Sequence, residues 1–251
     1  NSDAVSYYAT FDNWDVGVKQ GEYIVEALDL ENAGDKTYNI EYITGDPGDN
    51  NINFFFDGAI SVLQPYIDAG TLVCPSGQTE KQTVATANWA TDAAQARFEN
   101  ILASYYSDGT QLDVALCSND STALGVTQAI ESDYAGSNQP IITGQDGDEA
   151  TQKNIVDGKQ SMTVYKAVAN EAVVTLALAQ AILNGEQPGE ELTSQFDCEC
   201  AYDTSSYDNN TGIIPSYLLT PTVVTADNIQ EERVDPGYYS MGSDGYPVAV
   251  G

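Results

Sequence analysis

The 251-residue sequence contains no histidine. That removes His-based catalytic triads, imidazole metal ligands and imidazole proton shuttles, and it weakens most hydrolase readings. Basic residues are nearly as scarce, with 8 Lys and Arg against 38 Asp and Glu and a formal net charge of −30. Such a chain has no basic surface for phosphates, so nucleic acid and anionic membrane surfaces are poor partners. The charge itself suits solubility outside the cell or in a salty medium. Cysteines are few, and Cys74, Cys117, Cys198 and Cys200 do not have zinc-site spacing. Cys74 and Cys117 each close an apolar strand and read as small buried residues. Cys198 and Cys200 stand two apart on one face of an expected strand, where a bridge between them is strained. No apolar run is long enough to cross a bilayer, and the chain opens on polar Asn1-Ser2-Asp3 instead of a basic-then-apolar export signal. The segment from Asp203 to Asn210 lacks calcium-loop spacing and its closing Glu. No cofactor is implied.

The composition, 42% hydrophobic and 10% aromatic, suits a folded chain with a sizeable core, between one large domain and two small ones in length. The stretch Leu112 to Gly125 reads L-D-V-A-L-C-S-N-D-S-T-A-L-G. Its apolar first half suits a buried strand, and from Ser118 it offers cap residues ahead of Ala123, Leu124, Val126 and Ile130, spaced as the buried stripe of a helix. A strand turning directly into a helix sets Ser118, Asn119 and Asp120 at the strand's carboxyl end, where open parallel sheets bind ligands. The same alternation runs along most of the chain. Strands are expected at Val5 to Thr10, Tyr38 to Thr44, Thr71 to Cys74, Pro140 to Thr143 and Ser161 to Val164. Helices are expected at Val16 to Leu30, after the candidate caps Asn50 and Asn51 over Phe54, Phe55, Ala59, Val62 and Leu63, at Thr91 to Ser104 and at Glu149 to Val156. Residues 168 to 184 form the most apolar helix, ended by Gly185, and should be buried on more than one side. Beyond it come Tyr-, Asp-, Asn- and Thr-rich segments with strands near 196–202 and 216–224. The pattern predicts an α/β fold, a doubly wound and mostly parallel sheet with helices on both faces.

Short polar or charged groups stand at the mouths of these strands: Asp49 to Asn51, Asn119, Asp146, and Lys166 after the strand at 161–164. Converging there, they would offer fixed donors and acceptors to a neutral polyhydroxyl ligand. Each also has a local reading: Asn119 and Asp146 as helix caps, Asp49 and Asn51 as an ordinary turn and cap, Lys166 as a solvated helix-start charge.

Seven strings then occur in order: Y-Y-A-T-F-D-N (7–13), G-D-P-G-D-N-N-I-N-F-F-F-D-G-A (45–59), P-S-G-Q-T (75–79), C-S-N-D-S-T-A-L-G (117–125), T-G-Q-D-G-D (143–148), S-M-T-V-Y-K (161–166) and P-S-Y-L-L-T-P (215–221). With them the chain resembles the sugar-binding proteins of ABC importers, the type I periplasmic-binding-protein fold of the xylose-, galactose- and multiple-sugar-binding type. The resemblance implies that Asn119, Asp146 and Lys166 hydrogen-bond sugar hydroxyls, that Asp49 and Asn51 contribute from their loop, and that Trp89 stacks on the sugar ring. An indole in that place also suits plain core packing. It further implies that residues 1–166 and 213–251 form the carboxyl-terminal sugar-binding lobe, while 167–212 packs in an amino-terminal lobe that the chain mostly lacks. The expected partners are a mono- or small oligosaccharide, the membrane permease of an ABC importer, and the missing lobe or a second copy of the chain. The expected location is extracytoplasmic, in the periplasm or lipid-anchored on the cell surface. Two other readings stand beside a non-enzymatic transport protein: the effector lobe of a sugar-responsive regulator or chemoreceptor system, and a glycosidase using Asp49 and Asp146 as its carboxylate pair. The second does not account for an amide-rich mouth without histidine.

Overall fold

The computed structural model describes residues 3–250; Asn1 and Ser2 of the polar opening, and Gly251, lie outside them. In chain order the first elements are β1 (Tyr8–Phe11), α1 (Asn13–Ala27), β2 (Tyr38–Ile43), α2 (Asn51–Asp68), β3 (Leu72–Val73), α3 (Lys81–Val84), α4 (Thr91–Tyr105) and β4 (Val114–Cys117). There follow α5 (Asp120–Asp133), β5 (Ile141–Ile142), α6 (Glu149–Val156), β6 (Thr163–Tyr165), α7 (Val168–Leu183), β7 (Cys200–Asp203), β8 (Ser216–Leu219), β9 (Thr222–Val224), β10 (Tyr239–Met241) and β11 (Pro247–Ala249). They divide into two compact units, a larger one of residues 13–165 with 223–250 and a smaller one of residues 3–12 with 166–222.

In the larger unit the strand order is β3-β2-β4-β5, with parallel pairing throughout. An isolated parallel bridge between Gln145 and Val164 extends that sheet to β6, which is paired with β9. The chain therefore moves from β2 outward to β3 and returns to the other side of β2 as β4. This reversal is the topological switch point of a doubly wound sheet. Alternate residues of β2 serve opposite faces, as a strand's period of two requires. Ile40 and Tyr42 pack with Ile24, Phe56 and Leu63 of α1 and α2, whereas Ile43 packs with Phe98, Leu102, Val126 and Ile130 of α4 and α5. Helices thus cover both faces, and β4 is buried at all four positions. α1 and α2 approach closely through glycines. A Cβ on Gly17 would lie 2.1 Å from the Phe55 carbonyl oxygen, and one on Gly58 would lie 2.4 Å from that of Trp14.

Glu41, also on β2, is fully buried on the α4 side. Its carboxylate accepts from the Ser76 amide (3.1 Å), the Ser76 hydroxyl and the Tyr106 hydroxyl (3.0 Å). These bonds hold the 74–78 loop against the sheet and satisfy a carboxylate that the burial would otherwise penalise. Cys74 donates weakly to the same group, and burial pushes its thiol up to about 11. All four cysteines are free.

In the smaller unit β1 runs parallel to β8, and β8 antiparallel to β7. Val174 and Leu178 of α7 pack with Leu192 onto Phe11, Tyr217 and Leu219. Register pairing of Tyr8 to Phe11 with Ser216 to Leu219 holds these two segments together in the smaller unit.

Several expected bounds also shift. α1 starts at Asn13, not Val16, because the regular apolar stripe begins at Val16, one turn into the helix. It ends at Ala27, shortly before Asp29 with its left-handed φ of 48°. The expected strand at 216–224 is two strands separated at Thr220 and Pro221, where a proline cannot donate to a ladder. Within this chain α7 is not covered all round: Val168, Val173, Leu176 and Leu183 are 67%, 55%, 70% and 87% exposed. Only the face carrying Val174, Leu178 and Ala181 is buried, since one narrow sheet offers one surface to pack on.

Candidate functional site

The carboxyl ends of β2, β4 and β5 lie side by side in the larger unit, and Asp49, Asn51, Asn119 and Asp146 follow them. After β2 the chain passes Thr44 and Gly45, and the 84–86 segment is laid alongside by hydrogen bonds from Thr44 N to the Val84 carbonyl and from Thr86 N to the Gly45 carbonyl, both 2.9 Å. This brings Trp89 onto Gly45. A Cβ there would meet the indole at 2.1 to 2.2 Å, so only glycine lets the ring lie on the backbone. The ring flank meets Phe55 edge-on, with centroids 6.2 Å apart. Asn88 and Trp89 both have φ of 55°, a left-handed pair held by Asp46, whose carboxylate accepts from Asn88 N and from Gly48 N. Those two N–H donors keep the Asp46 carboxyl below the usual range.

Asp49 accepts from the amide of Asn51 at 2.9 Å, the turn-and-cap role that its position allowed. The Asn51 side-chain oxygen receives the side-chain amide of buried Asn13 at 3.3 Å. Asp49 also borders an open groove of about 430 Å³ with Asn53, Glu80 and Lys81; Trp89, Asn119 and Asp146 do not line it.

After β4, the Ser118 hydroxyl donates to Thr44 at 3.0 Å, a polar link across the switch point. Asn119 is buried and caps α5, its side-chain oxygen accepting from Thr122 N (3.0 Å) and the Thr122 hydroxyl (2.9 Å). The cap uses the amide oxygen, not the amide nitrogen. Buried Gln20 of α1 ties β4 to the end of β5 by donating to the carbonyls of Cys117 (3.2 Å) and Gly144 (2.9 Å).

Asp146 is exposed and has φ of 102°, outside the usual range for a residue with a side chain. Its amide donates to the Val164 carbonyl at 3.0 Å. Asp148 follows at the entry to α6, its carboxyl raised by burial and then by the charge of Asp146. Lys166 belongs to the smaller unit, directly after Tyr165 at the end of β6.

Two charged residues at this end were not singled out from the sequence. Asp120 is 1% exposed; its carboxylate receives the Asp148 amide (2.9 Å), the Gln160 amide (3.2 Å) and the Thr163 hydroxyl (2.9 and 3.0 Å). Burial pushes its pKa up to about 8, against the opposing effect of those donors. The neighbouring S-N-D string carried that signal. Arg233 is 2% exposed and donates to the Gly147 carbonyl at 3.0 Å. Nothing in its Q-E-E-R-V surroundings marks it, since its partners are distant in sequence. Among the described residues no group of three or more Cys, Asp or Glu is arranged to hold a metal ion.

A family model described as "Periplasmic binding protein domain" matches residues 1–187. The multiple sugar-binding periplasmic receptor ChvE of Rhizobium radiobacter is 41% identical over 95% of this chain and 65% of its own length. The D-xylose-binding periplasmic protein of Escherichia coli is 30% identical over 95% of this chain and 63% of its own. The chain thus spans slightly less than two thirds of these relatives. Among solved structures, an ABC transporter solute-binding protein from Clostridium phytofermentans with bound β-D-glucose superposes with a TM-score of 0.86 at 52% identity, over 98% of this chain and 71% of that one.

Proposed function

The chain belongs to the periplasmic binding protein domain family, and from that premise we propose that it serves a non-enzymatic, extracytoplasmic solute-binding protein that captures a mono- or small oligosaccharide for an ABC importer. The observation that carries this reading is that Trp89 lies on Gly45 just after β2, while Asn119 and Asp146 follow the neighbouring strands β4 and β5 around a switch point. In this reading the indole face turned away from Gly45 stacks on the apolar face of a pyranose. The Asn119 amide and the Asp146 carboxylate bind hydroxyls, the latter through charge-assisted bonds. Asn51 adds a polar contact, and Asp49 supports the Asn51 turn. The glucose bound in the Clostridium relative and the xylose named for the Escherichia coli relative set the class of ligand to try first.

The smaller unit, in the same reading, is part of a second lobe, with 167–212 packing against further polypeptide. The bare side chains on α7 support this, because monomeric soluble proteins rarely leave large contiguous apolar patches exposed.

The test is titration with D-glucose and D-xylose followed by amide NMR, with Asp146→Ala and Asn119→Ala as variants. Each should weaken binding about tenfold or more, the cost of a hydrogen bond to a charged or buried group. Sugar binding that neither variant alters would sink the site. Release of the aryl group from an aryl glycoside would favour an enzyme instead.

A further inference from the structure

Two consecutive positive φ values, 102° at Asp146 and 72° at Gly147, mark the turn that leaves β5. For the aspartate this backbone is strained and persists only where the surroundings over-determine it. Here they do. Asp146 N donates to the Val164 carbonyl (3.0 Å), Gly147 N to the Thr163 hydroxyl (3.2 Å) and Asp148 N to Asp120 (2.9 Å). The Gly147 carbonyl accepts from Gln152 (2.8 Å) and from Arg233 (3.0 Å). All but one of these tethers come from the adjoining elements. Arg233 comes from 86 residues further along the chain.

We propose that Arg233 is a positioning residue of the sugar site, brought by the carboxyl-terminal segment to lock the Asp146 turn and so set the affinity of that site. This rests on the reading that Asp146 binds a sugar hydroxyl. The guanidinium carbon lies 3.4 Å from the ring centroid of Tyr165 and 4.5 Å from that of Tyr239. A Cβ on Gly147 would lie 3.0 Å from Tyr165 and 3.2 Å from the guanidinium carbon, so the turn rests directly on this stack. Nε and Nη1 are buried without a hydrogen-bond partner among the described residues. In a chain with 38 carboxylates, this arginine is met by two aromatic rings and one carbonyl. Leaving N–H groups of a buried cation unsatisfied is costly. What the arrangement gains is a flat, rigid donor behind Gly147, which a lysine's flexible point charge cannot reproduce.

The experiment compares the full chain with Arg233→Lys, which keeps the charge, and Arg233→Met, which keeps much of the volume. Amide exchange is followed in sugar-free protein, and D-glucose and D-xylose are titrated. Both variants should keep wild-type circular dichroism, exchange the Gly147 and Asp148 amides about tenfold faster, and bind sugar about tenfold more weakly. Leu178→Ala, a destabilising change in the smaller unit, should leave both readings at wild-type values. Millimolar methylguanidinium should restore part of the lost affinity to Arg233→Ala and add nothing to wild type. Arg233→Met with wild-type exchange at those two amides overturns the proposal whatever the sugar result. Faster exchange with unchanged sugar affinity overturns the link to the site. A wild-type chain that binds neither sugar counts against the site reading itself and leaves the exchange comparison to judge the arginine. If Arg233→Met does not fold, Tyr239→Leu strips one face of the stack and is judged by the same two readings.

Discussion

At the scale of single residues, the carboxyl end of the larger sheet depends on side chains whose chemistry burial has altered. Asp120 has a folded-state pKa near 8 against an unfolded value of 3.8. A carboxyl raised on folding binds more protons native than unfolded between those values, so stability falls as pH rises through that window. A tenfold difference in proton affinity between the two states is worth about 1.4 kcal/mol. Asp120→Asn keeps an acceptor oxygen for the Thr163 hydroxyl and cannot ionise, so it should remove part of this slope. Urea melts at pH 5 and pH 8.5 should show wild type losing a few kcal/mol more than the variant over that interval, as an order of magnitude. Parallel slopes would contradict the buried, proton-holding carboxyl. Gly45 bears on the site differently. With an indole where its Cβ would lie, Gly45→Ala should displace Trp89 at a cost of about 1–3 kcal/mol. A shifted emission spectrum of Trp89, read in a Trp14→Phe background, and weaker sugar binding are the expected signs; an unchanged spectrum would count against the packing described.

At the scale of elements, α7 separates composition from environment. Its apolar sequence suggested burial on several sides, yet only Val174, Leu178 and Ala181 face the sheet of the smaller unit. Leu178→Ala should therefore cost about 2–5 kcal/mol, as large-to-small core changes do. Leu176→Lys, at a position 70% exposed, should change stability by no more than about 0.5 kcal/mol. Denaturant melts of the two variants check the contrast, and a large loss from Leu176→Lys would mean that this face is covered in solution. β4 and α5 give the opposite lesson. A strand buried at every position, followed at once by Asn119 as cap, was legible from a short apolar run and cap chemistry alone.

At the scale of the whole molecule, 38 acidic residues against 8 basic ones dominate the long-range electrostatics. Among the described ion pairs are the surface pairs Lys19–Asp15, Lys81–Asp57, Lys153–Glu149 and Lys159–Glu131, which leave most of the negative charge unmatched. Self-repulsion of that excess destabilises the folded state and is screened by salt over a Debye length of about 10 Å at 0.1 M. Thermal unfolding should accordingly shift upward by several degrees between about 0.02 and 0.5 M sodium chloride, roughly the effect of 1 kcal/mol or more in a chain of this size. A midpoint that stays level or falls over that range would show that unfolding is governed by other terms.

What the sequence determined by itself follows from local rules. Period-two and period-3.6 patterning, cap residues and turn glycines specify strands, helices and their alternation, and the alternation specifies a doubly wound parallel sheet. The position of Asn119 and Asp146 at strand carboxyl ends follows from the same rules. Tertiary structure alone decided which side chains stand behind them. Gly45 gives no sign in the sequence that an indole will lie on it. The N-D pair at 119–120 does not reveal that the aspartate will be enclosed by Gln160 and Thr163 from β6 and the residues before it. Arg233 reaches Gly147 only because the returning segment folds back against a turn 86 residues earlier. Patterning along a chain records how each segment meets water, whereas these contacts depend on where distant segments come together in space.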